Sequence, residues 1–149
     1  MSLRDTIGKF SSSDCVQLRN NYGYTIVAIQ QQAAAQEGIE NLKIDRLMPT
    51  ADGLGDNKTT ARDFNILLGI FSPWRFKKKM WEGYDIEIFE DNIRFLEVIL
   101  NRSGSAGGLC PLYFDGAVNF FAELPTPENK EILYNFLNKI RNVNNNKTM

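Results

Sequence analysis

The sequence predicts an α/β fold in which parallel core strands are followed by an antiparallel hairpin, with helices on the flanks. Residues 24–29 (YTIVAI) form a short, continuous, β-branched apolar run, which is typical of a parallel strand buried on both faces. Residues 66–71 (ILLGIF) predict a second buried strand. Two further strand candidates, residues 95–100 and 109–114, flank a glycine-rich segment and therefore predict a hairpin.

The composition is that of one globular domain. A length of 149 residues predicts a single domain, and 17 Lys plus Arg against 18 Asp plus Glu leave a net charge of −1. This balance excludes a globally basic protein that coats nucleic acid, although it leaves room for a local basic groove. No apolar run approaches the roughly 20 residues that cross a bilayer, and the first residues lack a signal peptide, so we expect a cytoplasmic protein with no membrane association.

Two residue types limit the chemistry. Histidine is absent, which excludes His-based acid–base catalysis, Ser-His-Asp and Cys-His systems and ordinary zinc sites. Cys15 and Cys110 show no CxxC spacing, so we expect both to be buried, reduced side chains. Any reaction must therefore depend on carboxylates, Lys, Arg, Gln and backbone groups.

The other elements are predicted from local signals. Ser and Asp at an N-cap and an apolar stripe predict a helix over residues 11–21, and Gly23 is predicted to end it. Residues 41–57 carry several turn signals and predict a long loop, and residues 118–121 predict a fifth strand. Thr126, ahead of Pro and Glu, predicts the start of a C-terminal amphipathic helix, followed by a polar tail.

Three sets of polar residues are functional candidates, each with a structural alternative. Gln30–Gln32 follow the first predicted strand, at the sheet end where ligands bind, and either sense a phosphate or cap the next helix. Arg102 lies in the glycine-rich turn and is either an arginine finger or a solvated turn residue. Residues 74–81 (WRFKKKMW) either bind single-stranded nucleic acid or form a surface loop with its aromatic side chains in the core, and we favour the loop.

Two common nucleotide-binding motifs and one zinc-protease motif are absent from the sequence. There is no GxxxxGK[ST] phosphate loop, no GxGxxG after a strand and no HExxH. Residues 53–60 (GLGDNKTT) look superficially like a phosphate loop, but no strand precedes them and their glycine spacing differs. The chain alone therefore lacks the residues that bind and cleave a nucleotide.

Taken in order, four segments resemble a known family. YTIVAIQQQ, DNKTTARDFNILLGIF, VILNRSGSAGG and LYFDGAVNFFAEL are similar to the C-terminal half of the RecA-like motor domain of DnaB-type hexameric replicative DNA helicases. QQQAAAQE, GLGDNK and YFDGAVNFFAELP also resemble the divergent helicase-like ATPases of phages and mobile elements of gut bacteria. The resemblance spans roughly residues 14–125, so residues 1–125 are expected to be the distal part of a motor domain and 126–149 a C-terminal helix and tail.

The resemblance implies roles for individual residues. Gln31 falls on the family's sensor glutamine for the γ-phosphate, and Arg102 and Gly104 match the turn that contacts the ATP of a neighbouring subunit. Lys58 and Arg62 lie in or beside the loop that faces single-stranded DNA. The complete motor would use ATP and Mg²⁺ and would assemble as a hexamer.

Two departures modify what the resemblance implies. Asp63 matches the family's acidic position ahead of the second strand, but the family's Lys-x-Arg pair has Leu100 in place of its lysine. The phosphate loop, the catalytic glutamate and the Walker B aspartate would all lie before Met1, so we expect the distal half of a helicase that is inactive by itself. The alternative is a non-catalytic interaction or ring-capping protein derived from a RecA-like ATPase.

Overall fold

A computed structural model describes residues 3–31, 47–54 and 60–145 of the chain. The chain divides into two compact units, one of Met1–Phe71 with Leu96–Leu109 and the other of Ser72–Phe95 with Cys110–Met149. The third and fourth predicted strands each contribute residues to both units. Within the described residues, no helix has the length and apolar character needed to cross a membrane.

The first helical stretch is longer than the sequence predicts. Helix α1 (Leu3–Lys9) continues through a π-helical segment (Phe10–Cys15) into helix α2 (Val16–Tyr22). Gly23 then takes a left-handed conformation with φ 69°, and its N–H donates to the carbonyl of Arg19 at 3.0 Å. The predicted end of this helix is therefore confirmed, because glycine adopts this conformation without a steric penalty.

The predicted buried strand over residues 24–29 is wrong. Residues 23–31 have no regular secondary structure, and the side chains of Val27 and Ile29 are 85% and 98% exposed. A strand is stabilised by hydrogen bonds to a neighbouring strand, and among the described residues none pairs with this segment. The apolar sequence of residues 24–29 favours a strand, but it cannot ensure that another strand lies beside it.

The described residues after this segment form six strands and three further helices. The strands are β1 (Ile66–Phe71), β2 (Met80–Trp81), β3 (Tyr84–Asp85), β4 (Ile93–Asn101), β5 (Leu109–Asp115) and β6 (Phe120–Glu123). The helices are α3 (Thr60–Asp63), α4 (Ile86–Phe89) and α5 (Lys130–Asn145), with short 3-10 turns at Ala51–Gly53, Pro73–Phe76 and Glu90–Asn92. Strands β1, β4, β5 and β6 form one sheet in the order β1-β4-β5-β6, and β2 and β3 form a two-stranded sheet.

The mixed α/β class is confirmed, but the larger sheet is antiparallel and does not contain the predicted parallel core. The N–H of Arg102, just after β4, donates to the carbonyl of Asn65, just before β1, at 2.9 Å, so the two strands run in opposite directions. Strands β4 and β5 form the predicted hairpin, joined by hydrogen bonds of Val98 with Gly107 and Gly108 at 2.7 and 2.9 Å. A parallel pair would need a strand that lies beside β1 and runs in the same direction, and residues 24–29 do not form one.

Strand β1 also packs closely within its unit. A Cβ atom on Gly69 would lie 2.7 Å from Cδ1 of Ile99 and 2.8 Å from Cβ of Pro49. Non-bonded contacts this short are essentially never seen for Cβ atoms, so any larger residue at this position would force its neighbours to shift. Cys15 and Phe71 are buried in the same unit, so the predicted burial of Cys15 is confirmed, whereas Cys110 is only half-buried.

The second unit has an aromatic and aliphatic core. Ile86, Ile93 and Phe95 are fully buried, and the ring of Tyr84 lies edge-on to that of Phe95 with centroids 5.8 Å apart. The C-terminal helix starts at Lys130, four residues after the predicted start. The side chain of Asn129 accepts from the N–H of Ile132 at 3.3 Å, so Asn129 and not Thr126 caps it.

Candidate functional site

Arg102 lies in the turn after β4 and is exposed, yet its guanidinium folds back onto its own chain. Its Nε donates to the carbonyl of Phe64 at 3.0 Å, and one terminal nitrogen donates to the carbonyl of Arg62 at 2.8 Å. Both carbonyls lie at the C-terminal end of α3, where helix geometry leaves the last carbonyls without partners. The positive charge strengthens both hydrogen bonds.

A second arginine binds the same segment from α2. One terminal nitrogen of Arg19 donates to the carbonyl of Asp63 at 3.0 Å and to Oδ1 of Asn65 at 2.7 Å. Together with the bonds from Arg102, the four consecutive carbonyls of residues 62–65 each accept a hydrogen bond from one of these two arginines. We call residues 62–65 with Arg19 and Arg102 the arginine cluster.

The carboxylate of Asp63 is held inside this cluster. Its Oδ2 accepts from the hydroxyl of Ser11 at 2.8 Å, and Ser11 is only 1% exposed. Nearby, burial and then the charges of Asp14 and Asp63 raise the pKa of the Cys15 thiol. Cys15 is therefore a neutral buried thiol, and Asp63 connects α3 to the first helical stretch.

The tip of the β4–β5 hairpin is organised by Asn101, which the sequence analysis did not single out. Its Oδ1 accepts from the N–H of Ser103 at 3.1 Å, and its Nδ2 donates to the carbonyl of Ser105 at 3.2 Å. A Cβ atom on Gly104 would lie 3.0 Å from this Nδ2. The available signal was an asparagine directly ahead of a glycine-containing turn, a position where its side chain commonly bonds to the backbone two residues on.

The predicted site residues are only partly brought together. Arg62 and Arg102 are adjacent through the hydrogen bond to the Arg62 carbonyl, and Gly104 lies in the same turn as Arg102. Gln31 is exposed at the end of the irregular segment 23–31, and no contact within the described residues joins it to Arg102. Lys58 lies outside the described residues.

The predicted basic and aromatic segment 74–81 divides into two kinds of side chain. Phe76 and Trp81 are half-buried, as the favoured loop interpretation expects. Trp74 is instead 39% exposed and lines a groove of about 530 Å³ with basic side chains. This groove is a second candidate site.

The arginine cluster offers hydrogen-bond donors and positive charge. Among the residues that the structure covers, no three His, Cys, Asp or Glu side chains are grouped so as to hold a metal ion. A guanidinium carries five N–H groups, so Arg102 retains donors for a phosphate beyond the two that bind carbonyls. No family model, curated protein or solved structure matches the chain.

Proposed function

We propose that this chain is the distal part of an ATP-dependent DNA helicase motor of the RecA-like type, acting together with the half that carries the phosphate loop. The observation that carries the proposal is the exposed apolar face of β1. Ile66, Leu68 and Ile70 are 55%, 53% and 55% exposed. They alternate along the strand and therefore share one face.

Strand β1 also lies at an edge of its sheet. An edge strand presents unpaired N–H and C=O groups, and an apolar patch on such a strand favours association with another segment. The irregular segment 23–31 exposes Val27 and Ile29 as well. These exposed apolar side chains support the proposal that another polypeptide packs against this surface and completes the fold.

In this proposal the arginine cluster faces a nucleotide held by an adjacent subunit. Arg102 contributes positive charge to the transferring phosphate, and Gln31 senses the γ-phosphate within its own subunit. Lys58 and Arg62 contact the backbone of single-stranded DNA. The other half supplies the phosphate loop that binds ATP and Mg²⁺, and the complete motor is a hexamer.

One observation favours a second function, a non-catalytic protein that caps or packs against a helicase ring. The Arg102 guanidinium already binds two carbonyls of its own chain. An arginine finger must exchange such bonds for contacts to the neighbouring nucleotide. If Arg102 is purely structural, the exposed face of β1 serves only for packing.

The direct test is reconstitution with a polypeptide that carries GxxxxGK[ST] and is encoded immediately upstream. We expect neither chain alone to hydrolyse ATP and the mixture to show hydrolysis stimulated by single-stranded DNA. Leu68→Glu should abolish this gain by placing a charge on the β1 face. Ile88→Glu, at a side chain that is 50% exposed on α4, is the matched control and should retain it.

Two results would contradict the motor proposal. ATP hydrolysis by the purified chain alone would show a nucleotide site of its own. Full activity of the mixture with Arg102→Ala, at unchanged stability of the complex, would favour the ring-capping function. Arg102→Lys tests whether activity needs only the positive charge or also the planar arrangement of the guanidinium N–H groups, because lysine keeps the charge but lacks that arrangement.

A further inference from the structure

The groove beside Trp74 combines an aromatic side chain with a concentration of positive charge. Its volume is about 530 Å³, and its lining consists of Trp74, Arg75, Lys77, Lys78, Lys79 and Glu87. Four cations and one carboxylate make the lining strongly positive, on a chain whose net charge is −1. A groove of one sign concentrates ions of the opposite sign.

The backbone holds one side of the groove in place. Pro73 is fully buried at the start of the 3-10 turn that carries Trp74. Lys77 ends the turn in a left-handed conformation with φ 56°, and its N–H donates to the carbonyl of Trp74 at 2.9 Å. The N–H of Lys78 donates to the carbonyl of Pro73 at 3.2 Å, so the turn is closed by two hydrogen bonds.

The other side of the groove is held by α4. The N–H of Ile86 donates to the carbonyl of Lys79 at 2.8 Å, and Nζ of Lys79 lies 3.4 Å from Oε1 of Glu87. Glu87 therefore neutralises Lys79. Arg75 and Lys77 are exposed and have no ion pair within the described part of the chain.

We propose that this groove binds single-stranded nucleic acid, with a base stacked on Trp74 and backbone phosphates on Arg75 and Lys77. Aromatic side chains beside a positively charged groove are the usual means of binding single strands without sequence preference. The volume lies in the range of roughly 300–1,000 Å³ of small-molecule sites and so accommodates a nucleotide. The proposal is independent of the motor function, because it needs neither ATP nor the arginine cluster.

An acidic peptide is a less suitable ligand for this groove. The carboxylates of the peptide would bind the cations, but the peptide would leave the exposed ring of Trp74 without a planar group to stack on. Every nucleobase has a planar face, and its stacking on Trp74 would strengthen binding. The ring and the cations together therefore favour a nucleic acid strand.

Fluorescence anisotropy tests the proposal with the full chain and a labelled oligothymidine of about 12 nucleotides, at a salt concentration of about 50 mM. Trp74→Ala should weaken binding by about 5- to 100-fold through loss of stacking. Arg75→Gln with Lys77→Gln should weaken binding at least about tenfold and lower the salt-dependence slope by about 1.4. Lys130→Gln with Lys139→Gln makes the same charge change at exposed positions on α5, outside the groove lining, and should change binding less than about twofold.

Several outcomes would overturn the proposal. The first is that the chain does not bind the oligothymidine at low salt. The second is that the groove and α5 double variants weaken binding equally, and the third is that Trp74→Ala binds as tightly as the wild type. Equally tight binding of polyglutamate of the same length would assign the groove to acidic proteins. Loss of binding with Lys58→Gln and Arg62→Gln, but not with the groove variants, would place the strand on the surface proposed for the motor. Circular dichroism of each variant distinguishes lost binding from lost folding.

Discussion

Nε of Arg102 donates a hydrogen bond to the carbonyl of Phe64 at 3.0 Å, across 38 residues of sequence. This bond joins the tip of the β4–β5 hairpin to the turn that precedes β1. A second bond from the same guanidinium reaches the carbonyl of Arg62. Arg102, one of the functional candidates from the sequence, thus also connects two segments within its own unit.

Arg102→Ala should lower the free energy of unfolding by about 1–2 kcal/mol, because two carbonyls at the end of α3 lose their charged donors. Urea denaturation of the isolated chain measures this change. Arg75→Ala removes an equally exposed arginine and should stay within about 0.5 kcal/mol of the wild type. An Arg102→Ala variant as stable as Arg75→Ala would show that the carbonyl bonds contribute little in solution.

Gly104→Ala should loosen the hairpin tip, since the new methyl group would lie 3.0 Å from Nδ2 of Asn101 and displace that amide. We expect faster hydrogen exchange of the Ser103 N–H, which donates to Oδ1 of Asn101. Gly108→Ala is the matched control, because a Cβ atom there meets nothing within 4 Å. Similar exchange rates in the two variants would contradict the role of Asn101.

Gly69→Ala should destabilise the chain by about 1–3 kcal/mol, because the added methyl group overlaps Ile99 and Pro49. Thermal unfolding of the variant measures the loss. Ile99→Val removes the Cδ1 atom that would lie 2.7 Å from this methyl group, so the double variant should lose less than the sum of the two single variants. If the stability losses of the two single variants simply add in the double variant, the new methyl group does not press on Cδ1 of Ile99.

Tyr84 should titrate at a higher pH than a phenol in the unfolded chain. Burial, followed by the charges of Glu128, Cys110 and Glu123, raises the pKa of Tyr84 to about 12. The folded state therefore holds this proton more tightly than the unfolded state, whose phenol pKa is about 10. The stabilisation is complete below pH about 10 and is lost as the pH rises towards about 12, at no more than about 1.4 kcal/mol per pH unit.

Tyr84→Phe should remove this pH dependence and cost about 1 kcal/mol at neutral pH, because the hydroxyl donates to the carbonyl of Pro125 at 2.8 Å. Tyr24→Phe, at an exposed side chain, is the control and should leave both quantities unchanged. The measurements are the ultraviolet absorbance of phenolate and urea denaturation at several pH values. If the phenolate signal that Tyr84→Phe removes already appears near pH about 10, the burial of Tyr84 is contradicted.

Local sequence signals predicted the elements whose bonding partners are close along the chain. The hairpin of β4 and β5, the end of the first helical stretch at Gly23 and the bounds of β1 are confirmed, whereas the predicted burial of β1 is wrong for the face that carries Ile66, Leu68 and Ile70. Each depends on turn chemistry or on a short apolar run. The strand predicted over residues 24–29 failed because an apolar run does not determine which strand it will pair with.

The candidate site was predicted less completely. Arg102 was identified from its glycine-rich turn and from the family resemblance, and Arg62 from the resemblance alone. In the structure the Arg102 guanidinium donates to the carbonyl of Arg62. Neither Arg19 nor Asn101 was identified. Arg19 lies 44 residues from Asp63, whose carbonyl it binds, and no pattern in the sequence encodes a contact between a side chain and a distant carbonyl.

By itself, the sequence determined the mixed α/β class, the hairpin with its glycine-rich tip, the absence of histidine chemistry and the basic character of residues 74–81. These properties depend on composition, on strand and helix periodicity and on the conformational preferences of glycine and proline. Only the tertiary structure decided that the sheet is antiparallel, that Arg102 binds its own backbone and that Trp74 lines a groove with Arg75 and Lys77. The physical reason is that hydrogen-bond partners and burial are relations between distant residues, and they are fixed only when the chain is folded.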